Sequence, residues 1–433
     1  MKLHYYLLCL IGCLLLAADF PQNMHQWITD DLPYLVEFYK ERHQHPEISL
    51  HEENTAMALS AELREVGFEV TENFGGYGIV GILKNGDGPT ILYRTDMDAL
   101  PMYEKTELPY ASTTTTVING SEVGTMHSCG HDIHMTTWLG TARAMAQHRD
   151  QWKGTLMLIG QPAEEIGRGA KMMLEAGLYE KFGVPDYGIG LHSSPTIPAG
   201  KVGIDDGYTM ANAESVDIDV FGVGSHGASP HSSVDPVVLS SMIIMELQTI
   251  VSRSVKPIDD AVITVGAVQG GTVGNIIPDE VKLKLTVRTF KEEVRNLIRK
   301  RIVEVCNGTA MAAGLPEEKW PKVHFPSTFT PANFNDPQLT QRIKNRMELT
   351  VGEENVVTSE PQLVAEDFAR YGSTEHDVPT VLFWLGTVSQ EKVATNNLPG
   401  LHSPFYYPEP QESIETGVKV VSSILLDLFK ESM

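Results

Sequence analysis

The chain has 433 residues, of which 42% are hydrophobic and 21% are charged, and this composition excludes a disordered or fibrous protein. The length exceeds what one ordinary hydrophobic core accommodates, so we expect two or three domains. Lysine and arginine number 33 against 56 aspartates and glutamates, a net charge of −23 that repels polyanions and argues against nucleic acid as a partner.

Residues 1–18 are predicted to be a signal peptide. Lys2 precedes a short apolar stretch that ends in the small residues Ala17 and Ala18, which offer a cleavage point. This pattern predicts an exported protein, periplasmic or secreted. A buried N-terminal helix is one alternative. Another is a lipoprotein attached to the membrane through Cys13, which ends a lipoprotein-like cleavage box.

Helices and strands alternate along the first half of the mature chain. Apolar residues spaced by three and four predict two helices, over 22–39 and 52–66. Short apolar runs on either side of the turn-forming segment 85–88 predict two adjacent strands. The elements predicted next are a helix over 133–148, a strand over 155–159, a helix over 169–176 and a strand over 187–191. This order predicts an α/β domain with a buried sheet covered by helices.

The pattern changes near residue 212 to strict alternation of apolar and polar residues. The segments 214–220 and 281–287 alternate in this way and predict half-exposed antiparallel strands. With helical patterns over 236–252 and 292–314, they predict an inserted α+β domain. We place its boundaries at 212–326. The flanking segments 19–211 and 327–433 are expected to form one catalytic domain together.

A cluster of metal-binding residue types precedes the helix predicted at residue 133. Residues 127–134 contain three histidines, a cysteine and an aspartate, and Cys129 and His131 can bind one ion from a loop. A lone cysteine is more often a buried apolar residue. Its clustering with histidine and aspartate favours metal ligation.

Two glutamates and two further histidines complete a candidate metal site. Glu164 and Glu165 follow an apolar strand; on extended backbone their side chains point to opposite sides, one to metal and one to substrate. Paired glutamates at a strand end are otherwise usually a solvated turn. His192 and His402 each follow a leucine and precede a proline, and either alone is more often structural. Imidazole, carboxylate and thiolate groups together suit zinc or a similar ion, and two neighbouring ions and hydrolysis account for the whole set.

Several short motifs follow one another in a characteristic order. They are Arg94-Thr95-Asp96-Met97-Asp98-Ala99-Leu100-Pro101, the segment 129–134, Pro162-Ala163-Glu164-Glu165, His192, Gly224-Ser225-His226-Gly227-Ala228-Ser229-Pro230-His231 and Leu401-His402-Ser403-Pro404. In this order they resemble the metal-dependent amidohydrolases that include hippurate hydrolase, bacterial aminoacylase and plant indole-acetyl-amino-acid hydrolase. The resemblance extends from His45 to His402, nearly the whole mature chain.

The resemblance implies a function for each candidate residue. It implies two divalent metal ions per subunit, with zinc or manganese expected first and cobalt or nickel as alternatives. The implied ligands are Cys129, His131, Glu165, His192 and His402. Glu164 is implied as the general base. The inserted domain is implied to be a lid and dimerisation domain with a four-stranded antiparallel sheet and two helices, whose His226 stabilises the oxyanion and can reach across from a partner subunit.

Four further residues have implied supporting roles. Asn275 and Arg288 match positions that bind a substrate carboxylate in relatives, and Arg does so with two parallel hydrogen bonds. Without the resemblance, Arg288 would be interpreted as a charge on the exposed face of a strand. Asp96 and His134 are expected to orient metal-binding groups, because a ligating imidazole needs a partner that fixes its tautomer.

The leading hypothesis is an exported dinuclear metallohydrolase that cleaves N-acyl amino acids into a carboxylic acid and a free amino acid. A metallo-dipeptidase or carboxypeptidase acting on short peptides is the near alternative. A non-catalytic binding protein of the same fold is a third hypothesis. Such a protein would be expected to lack a ligand or the base, and none of these implied residues is missing. We expect a small-molecule substrate, a homodimer, and membrane association only through a lipidated Cys13.

Overall fold

The computed structural model describes residues 20–396 and 398–430, so the predicted signal peptide and Cys13 lie outside the described residues. The helices are α1 (Gln22–Gln44), α2 (Glu53–Glu65), α3 (His131–Gln147), α4 (Gly169–Glu175), α5 (Leu178–Phe182), α6 (Pro236–Thr249), α7 (Glu292–Ala312), α8 (Pro337–Val351), α9 (Ala369–Gly372), α10 (Gln390–Thr395) and α11 (Pro410–Phe429). The strands are β1 (Glu69–Thr71), β2 (Ile79–Asn85), β3 (Thr90–Asp96), β4 (Thr115–Ile118), β5 (Ser121–Gly124), β6 (Gly154–Gln161), β7 (Tyr187–Pro198), β8 (Val202–Gly203), β9 (Gly207–Met210), β10 (Glu214–Phe221), β11 (Ser225–His226), β12 (Ala261–Gln269), β13 (Ile276–Ile277), β14 (Glu280–Thr289), β15 (Lys322–His324), β16 (Asn333–Asn335), β17 (Val356–Val357) and β18 (Thr380–Val388).

The chain divides into two compact units. Within the described residues, the large unit comprises 20–206, Asn335–Ser359, 374–396 and 398–430. The small unit comprises Gly207–Phe334 and Glu360–Ser373. The small unit is therefore inserted into the large one along the sequence, and each unit has its own hydrophobic core.

The large unit contains a mixed sheet with the strand order β1-β2-β6-β3-β7-β18-β8-β17. Strands β6, β3, β7 and β18 run parallel, whereas β1 and β2 are antiparallel to their neighbours. The prediction that β2 and β3 are adjacent is wrong, because β6 lies between them. The turn that follows β2 passes the start of β6, where the Thr155 amide donates to the Pro89 carbonyl over 2.9 Å. The glycine-rich turn thus connects strands two positions apart and closes no hairpin.

Helices cover this sheet because their apolar faces need burial. In α1, Met24, Ile28 and Leu32 recur every four residues and are buried, as expected for one face of an amphipathic helix. Helix α3 packs against α1, α11 and β3, and it is buried over nearly its whole length. Every residue of β18 is buried as well, which is typical of a central strand in a covered parallel sheet. The predicted helix-covered mixed sheet is confirmed.

The small unit contains an antiparallel sheet with the order β12-β14-β10-β15. Val216 of β10 pairs with Leu285 of β14, and buried and exposed residues alternate along both strands. The buried face packs against α6 and α7 through residues such as Ile243 and Ile298. The predicted α+β unit with a half-exposed sheet and two helices is confirmed.

The outer face of α6 is apolar and exposed. Val238, Met242 and Met245 are 56%, 47% and 69% exposed, and they line a groove of about 660 Å³ between α6 and α7. Within the described residues, the stretch Pro236–Ser254 is also the one helix long and apolar enough to cross a membrane. That criterion is weak evidence, because ordinary helices of water-soluble proteins also meet it.

Candidate metal centre

The candidate site lies at the carboxyl ends of the parallel strands of the large unit. β3 ends at Asp96 and β6 at Gln161, and these two residues are register partners. Arg94 pairs with Gly190 of β7, so His192 reaches the same level as Asp96 two residues later. Such strand ends are where ligands bind in open α/β sheets. The fold itself therefore gathers these polar residues.

The loop before α3 brings Cys129 and His131 against β7. Gly130 between them has φ +80°, and a Cβ atom at this position would lie 2.6 Å from the Ser193 hydroxyl. A residue with a side chain would push the loop away from β7, so glycine is required here. The His402 amide donates to the Ser128 carbonyl over 2.9 Å, which brings the last candidate ligand to the same loop.

Glu164 and Glu165 lie in a tight turn and not on extended backbone. Ala163 before them has φ +53°, and its carbonyl accepts from the amides of Arg168 and Gly169, both over 3.1 Å. The expectation that the two glutamates point to opposite sides is therefore not met. One oxygen of Glu164 and one of Glu165 lie 4.0 and 3.9 Å from His131 Nε2.

The five implied ligands converge in the structure. Cys129 Sγ lies 3.6 Å from His192 Nε2, and His402 Nε2 lies 3.4 Å from Glu165 Oε2. Among the triads whose donor atoms all lie within 4.8 Å of one another are Cys129, His131 and His192; Cys129, Glu165 and His402; and His131, Glu164 and Glu165. These overlapping triads can hold neighbouring cations.

The ring nitrogens that face this cluster are left with lone pairs for a metal ion. His131 Nδ1 donates to the Asp98 carbonyl over 2.7 Å, and His192 Nδ1 donates to the Ser193 carbonyl over 2.9 Å. A backbone carbonyl thus fixes each tautomer, which is a known device of metal-binding histidines. His131 Nε2 and Glu165 Oε1 are buried and have no hydrogen-bond partner. Buried polar atoms without partners are costly, and a divalent cation would satisfy both.

The electrostatics of the cluster also suit a cation. Burial lowers the pKa of His131, but the charge of Asp96 and neighbouring carboxylates outweigh it and raise the value to about 10. Burial raises the pKa of Glu165 to about 7. Burial lowers the pKa of His192 and of His402, so both rings favour the neutral form that binds metal. The excess of carboxylates is balanced when positive ions are bound.

Asp96 and His134 lie beside the candidate ligands. Asp96 is held by Arg94 Nη1 and by His134 Nδ1, both at 2.7 Å. The Ser193 amide donates to His134 Nε2 over 2.7 Å, so both nitrogens of His134 are used and the residue is not a free ligand. Asp96 lies 3.5 Å from His131 Nε2. It does not fix the tautomer of His131, because the hydrogen bond from Nδ1 to the Asp98 carbonyl does so.

The sequence did not reveal two buried carboxylates, Asp98 and Glu52, that hold the backbone of the turn containing Glu164 and Glu165, called the glutamate turn below. The amides of Glu164 and Glu165 donate to Asp98 over 3.0 Å each, and the Ala163 amide donates to Glu52 over 2.8 Å. The position of Asp98 just after a buried strand is a signal in the sequence that could have identified this residue as part of the site. Glu52 gives no such signal, because an acidic residue at a helix start is common.

The other candidate residues lie in the small unit. His226 of β11 pairs with Ile276 of β13, and the Gly227 amide donates to the Asn275 carbonyl over 2.8 Å. His226 and Asn275 are therefore neighbours, and both are exposed. Arg288 lies near the other end of β14, eight residues from its start, a span of about 26 Å at 3.3 Å per residue. Burial lowers the pKa of this guanidinium.

Comparison with known proteins assigns the chain to a family. The model of peptidase family M20/M25/M40 matches residues 92–427. The chain belongs to this family. It is 37% identical over 355 residues to N-acetyl-L-cysteine deacetylase of Bacillus subtilis, covering 82% of this chain and 80% of the relative. It is 39% identical over 337 residues to hippurate hydrolase of Campylobacter jejuni, covering 77% and 84%.

A solved structure agrees with the fold and the metal centre. A dinuclear metal-binding peptidase of family M20 from Bacillus subtilis superposes with a TM-score of 0.74 at 28% identity, covering 95% of this chain and 99% of that chain. The predicted resemblance is thereby confirmed. The protein is a hydrolase of amide bonds that depends on a divalent metal.

Proposed function

We propose that this M20 hydrolase cleaves N-acyl amino acids into a carboxylic acid and a free amino acid, with two divalent ions per subunit. The convergence of Cys129, His131, Glu165, His192 and His402 carries the proposal, together with two buried atoms that have no hydrogen-bond partner, His131 Nε2 and Glu165 Oε1. The names of the deacetylase and hippurate hydrolase relatives support this substrate class. The thiolate and imidazole donors suit zinc, and manganese is the second choice.

The ions would be held by these five side chains and would supply Lewis-acid chemistry to the amide carbonyl and to a water molecule. Glu164 is the general base: its carboxylate takes a proton from the attacking water and returns it to the leaving nitrogen. Glu164 is only 8% exposed, and Asp98 fixes its backbone amide. The turn therefore holds this carboxylate in place before substrate arrives, as proton transfer requires.

A panel of substrates tests the proposal. Metal-free protein loaded with zinc, manganese or cobalt is expected to release free amino acid from N-acetyl and N-benzoyl amino acids. Matched dipeptides and the carboxamide forms of the same substrates are the comparison. The carboxamides are expected to have a much lower kcat/KM, because donors that bind the substrate carboxylate are left unpaired. The dipeptides keep that carboxylate and are expected to be slower because a charged ammonium group, which is costly to bury, replaces part of the uncharged acyl group. Faster cleavage of dipeptides would favour the peptidase alternative, and tight binding without turnover would favour a binding protein.

His226 is proposed to donate a hydrogen bond to the oxyanion. Its Nδ1 accepts from the Ala228 amide over 3.0 Å, so the neutral ring carries its proton on Nε2. The ring is exposed. The proton on Nε2 is therefore accessible to a ligand, which supports the proposed role as a donor. Asn275 beside it would act on the same ligand.

A shared site between two chains would reconcile Asn275 with Arg288. Asn275 precedes β14 in the chain, whereas Arg288 lies about 26 Å along that strand from its start, so we infer that the two side chains of one chain do not meet. Joint binding of one substrate carboxylate therefore needs two chains. We propose a homodimer in which His226 and Asn275 act on the partner's substrate, and the exposed apolar face of α6 supports such an assembly.

Mixing two inactive variants tests this arrangement. His226→Ala is expected to lower kcat on the order of 10²–10³-fold, as for a lost oxyanion donor. Glu164→Gln is inactive for a different reason, so a mixed dimer has one site with both residues intact. After subunit exchange, activity should recover to roughly a quarter of the unsubstituted protein if pairing is random. No recovery despite demonstrated exchange would place His226 in its own chain's site or outside catalysis.

A further inference from the structure

Glu52 is a fully buried carboxylate in the turn that leads into α2. It lies 111 residues before Ala163 in the sequence, and among the described residues its side chain makes no hydrogen bond to a candidate metal ligand. Its Oε1 accepts from two backbone amides, that of Leu50 over 2.9 Å and that of Ala163 over 2.8 Å. Both bonds are of normal length for an amide that donates to oxygen.

Both residues that donate to Glu52 have left-handed backbones. Leu50 has φ +70° and Ala163 has φ +53°. Residues other than glycine rarely adopt this conformation, and they keep it only where the surroundings hold them. A single carboxylate oxygen thus holds two strained positions, one in its own turn and one at the entrance of the glutamate turn.

The direction in which the two glutamate side chains point depends on the backbone at Ala163, where the glutamate turn begins. The amides of residues 163, 164 and 165 donate in succession to Glu52, Asp98 and Asp98. Asp98 holds the two glutamates themselves, whereas Glu52 holds the residue whose φ sets the direction of the chain into them. If Ala163 relaxed toward negative φ, both carboxylates would turn away from His131.

We propose that Glu52 is a positioning residue for the metal centre and for the general base. It acts through the Ala163 backbone, and through the turn it places Glu165 on the metal ions and Glu164 beside them. Only one part of this inference, the role of Glu164, rests on the proposed function. The placement of Glu165 can be tested by metal binding, without any substrate.

Two substitutions distinguish the effect of the Glu52 hydrogen bonds from the effect of its side-chain volume. Glu52→Gln keeps an acceptor oxygen in place of Oε1, and Glu52→Met keeps the length without an acceptor. Glu47→Met is the matched control. Glu47 accepts from the amides of Asn54 and Thr55 in the same helix turn, and among the described residues no bond of its side chain reaches the glutamate turn.

The first readout is titration of metal-free protein with cobalt in competition with a chelator. Glu52→Met is expected to bind cobalt about 10–100-fold more weakly and to change its visible spectrum, as for other groups that orient ligands. Glu52→Gln should stay within about fivefold of the unsubstituted protein, and Glu47→Met should bind cobalt normally even if its melting temperature falls. Cobalt binding by Glu52→Met equal to that by Glu47→Met would overturn the proposal, as would a glutamine variant as weak as methionine.

The second readout is turnover with saturating metal. Glu52→Met should lower kcat about 10–100-fold with KM changed by less than about threefold, because misplacement of a catalytic group costs turnover more than binding. Full kcat in Glu52→Met would contradict the placement of Glu164. If no N-acyl amino acid is hydrolysed by the unsubstituted protein, the proposed function fails and the cobalt titration still decides the role of Glu52.

Discussion

Glu164→Gln is expected to keep its bound metal ions and to lose about 10²–10⁴-fold in kcat. The loss is the usual contribution of a positioned general base, and glutamine has the same shape but cannot accept the proton. The ions should stay because the implied ligand is the neighbouring Glu165, whose Oε2 lies 3.4 Å from His402 Nε2. Elemental analysis and steady-state kinetics on the same preparation measure both effects.

Glu165→Gln is the matched control for this prediction. The two glutamates are adjacent in one turn, and each has an oxygen about equally far from His131 Nε2, 4.0 and 3.9 Å. Glu165→Gln should lose metal, and part of its activity should return at high metal concentration. If Glu164→Gln is the variant that loses metal, the roles of the two residues are reversed.

Cys129→Ala is expected to remove one of the proposed metal ligands. Cys129 belongs to two of the donor triads, one with His131 and His192 and one with Glu165 and His402. We therefore expect metal content well below that of the unsubstituted protein and a metal affinity at least about 10²-fold lower, with activity falling in parallel. Inductively coupled plasma analysis after dialysis measures the metal content.

Alkylation of the unsubstituted protein tests the same ligand without a mutation. Bound metal should protect Cys129 from iodoacetamide, because a coordinated thiolate is a poor nucleophile toward other groups. Cys306 is an internal control: it is buried in the small unit, and burial raises its pKa to about 12. Peptide mass spectrometry should find Cys129 labelled only after metal removal and Cys306 unlabelled throughout. Equal labelling of Cys129 in both states would argue against ligation.

Residue type and motif order were sufficient to select candidate donor groups that the structure brings together. Cys129, His131 and the glutamate pair stand out because few other functions cluster thiol, imidazole and carboxylate groups. Several of the longer helices and strands of both units also followed from apolar periodicity, whereas many of the short ones were not predicted. The pairing of β2 with β6 did not, because a turn sequence indicates where the chain reverses and not which strand becomes its neighbour.

The supporting residues were harder to predict than the ligands. Glu52 acts on Ala163 across 111 residues, and its local pattern is that of an ordinary helix start. The separation of Asn275 from Arg288 depends on strand direction in the folded small unit, which a motif comparison does not contain. Both features are properties of tertiary contacts, and a single sequence shows only local preferences.

The interleaved strand order has a consequence for the protein during synthesis. β2 and β3 are joined by four residues, yet β6 must enter between them, and β18 must enter between β7 and β8. A nascent chain that ends before residue 380 leaves β7 without the neighbour that later pairs with most of its length. Such unpaired strand edges are prone to aggregation, and long-range pairings of this kind form slowly. His402 follows β18 in the chain, so a partly synthesised chain cannot assemble the complete set of metal ligands.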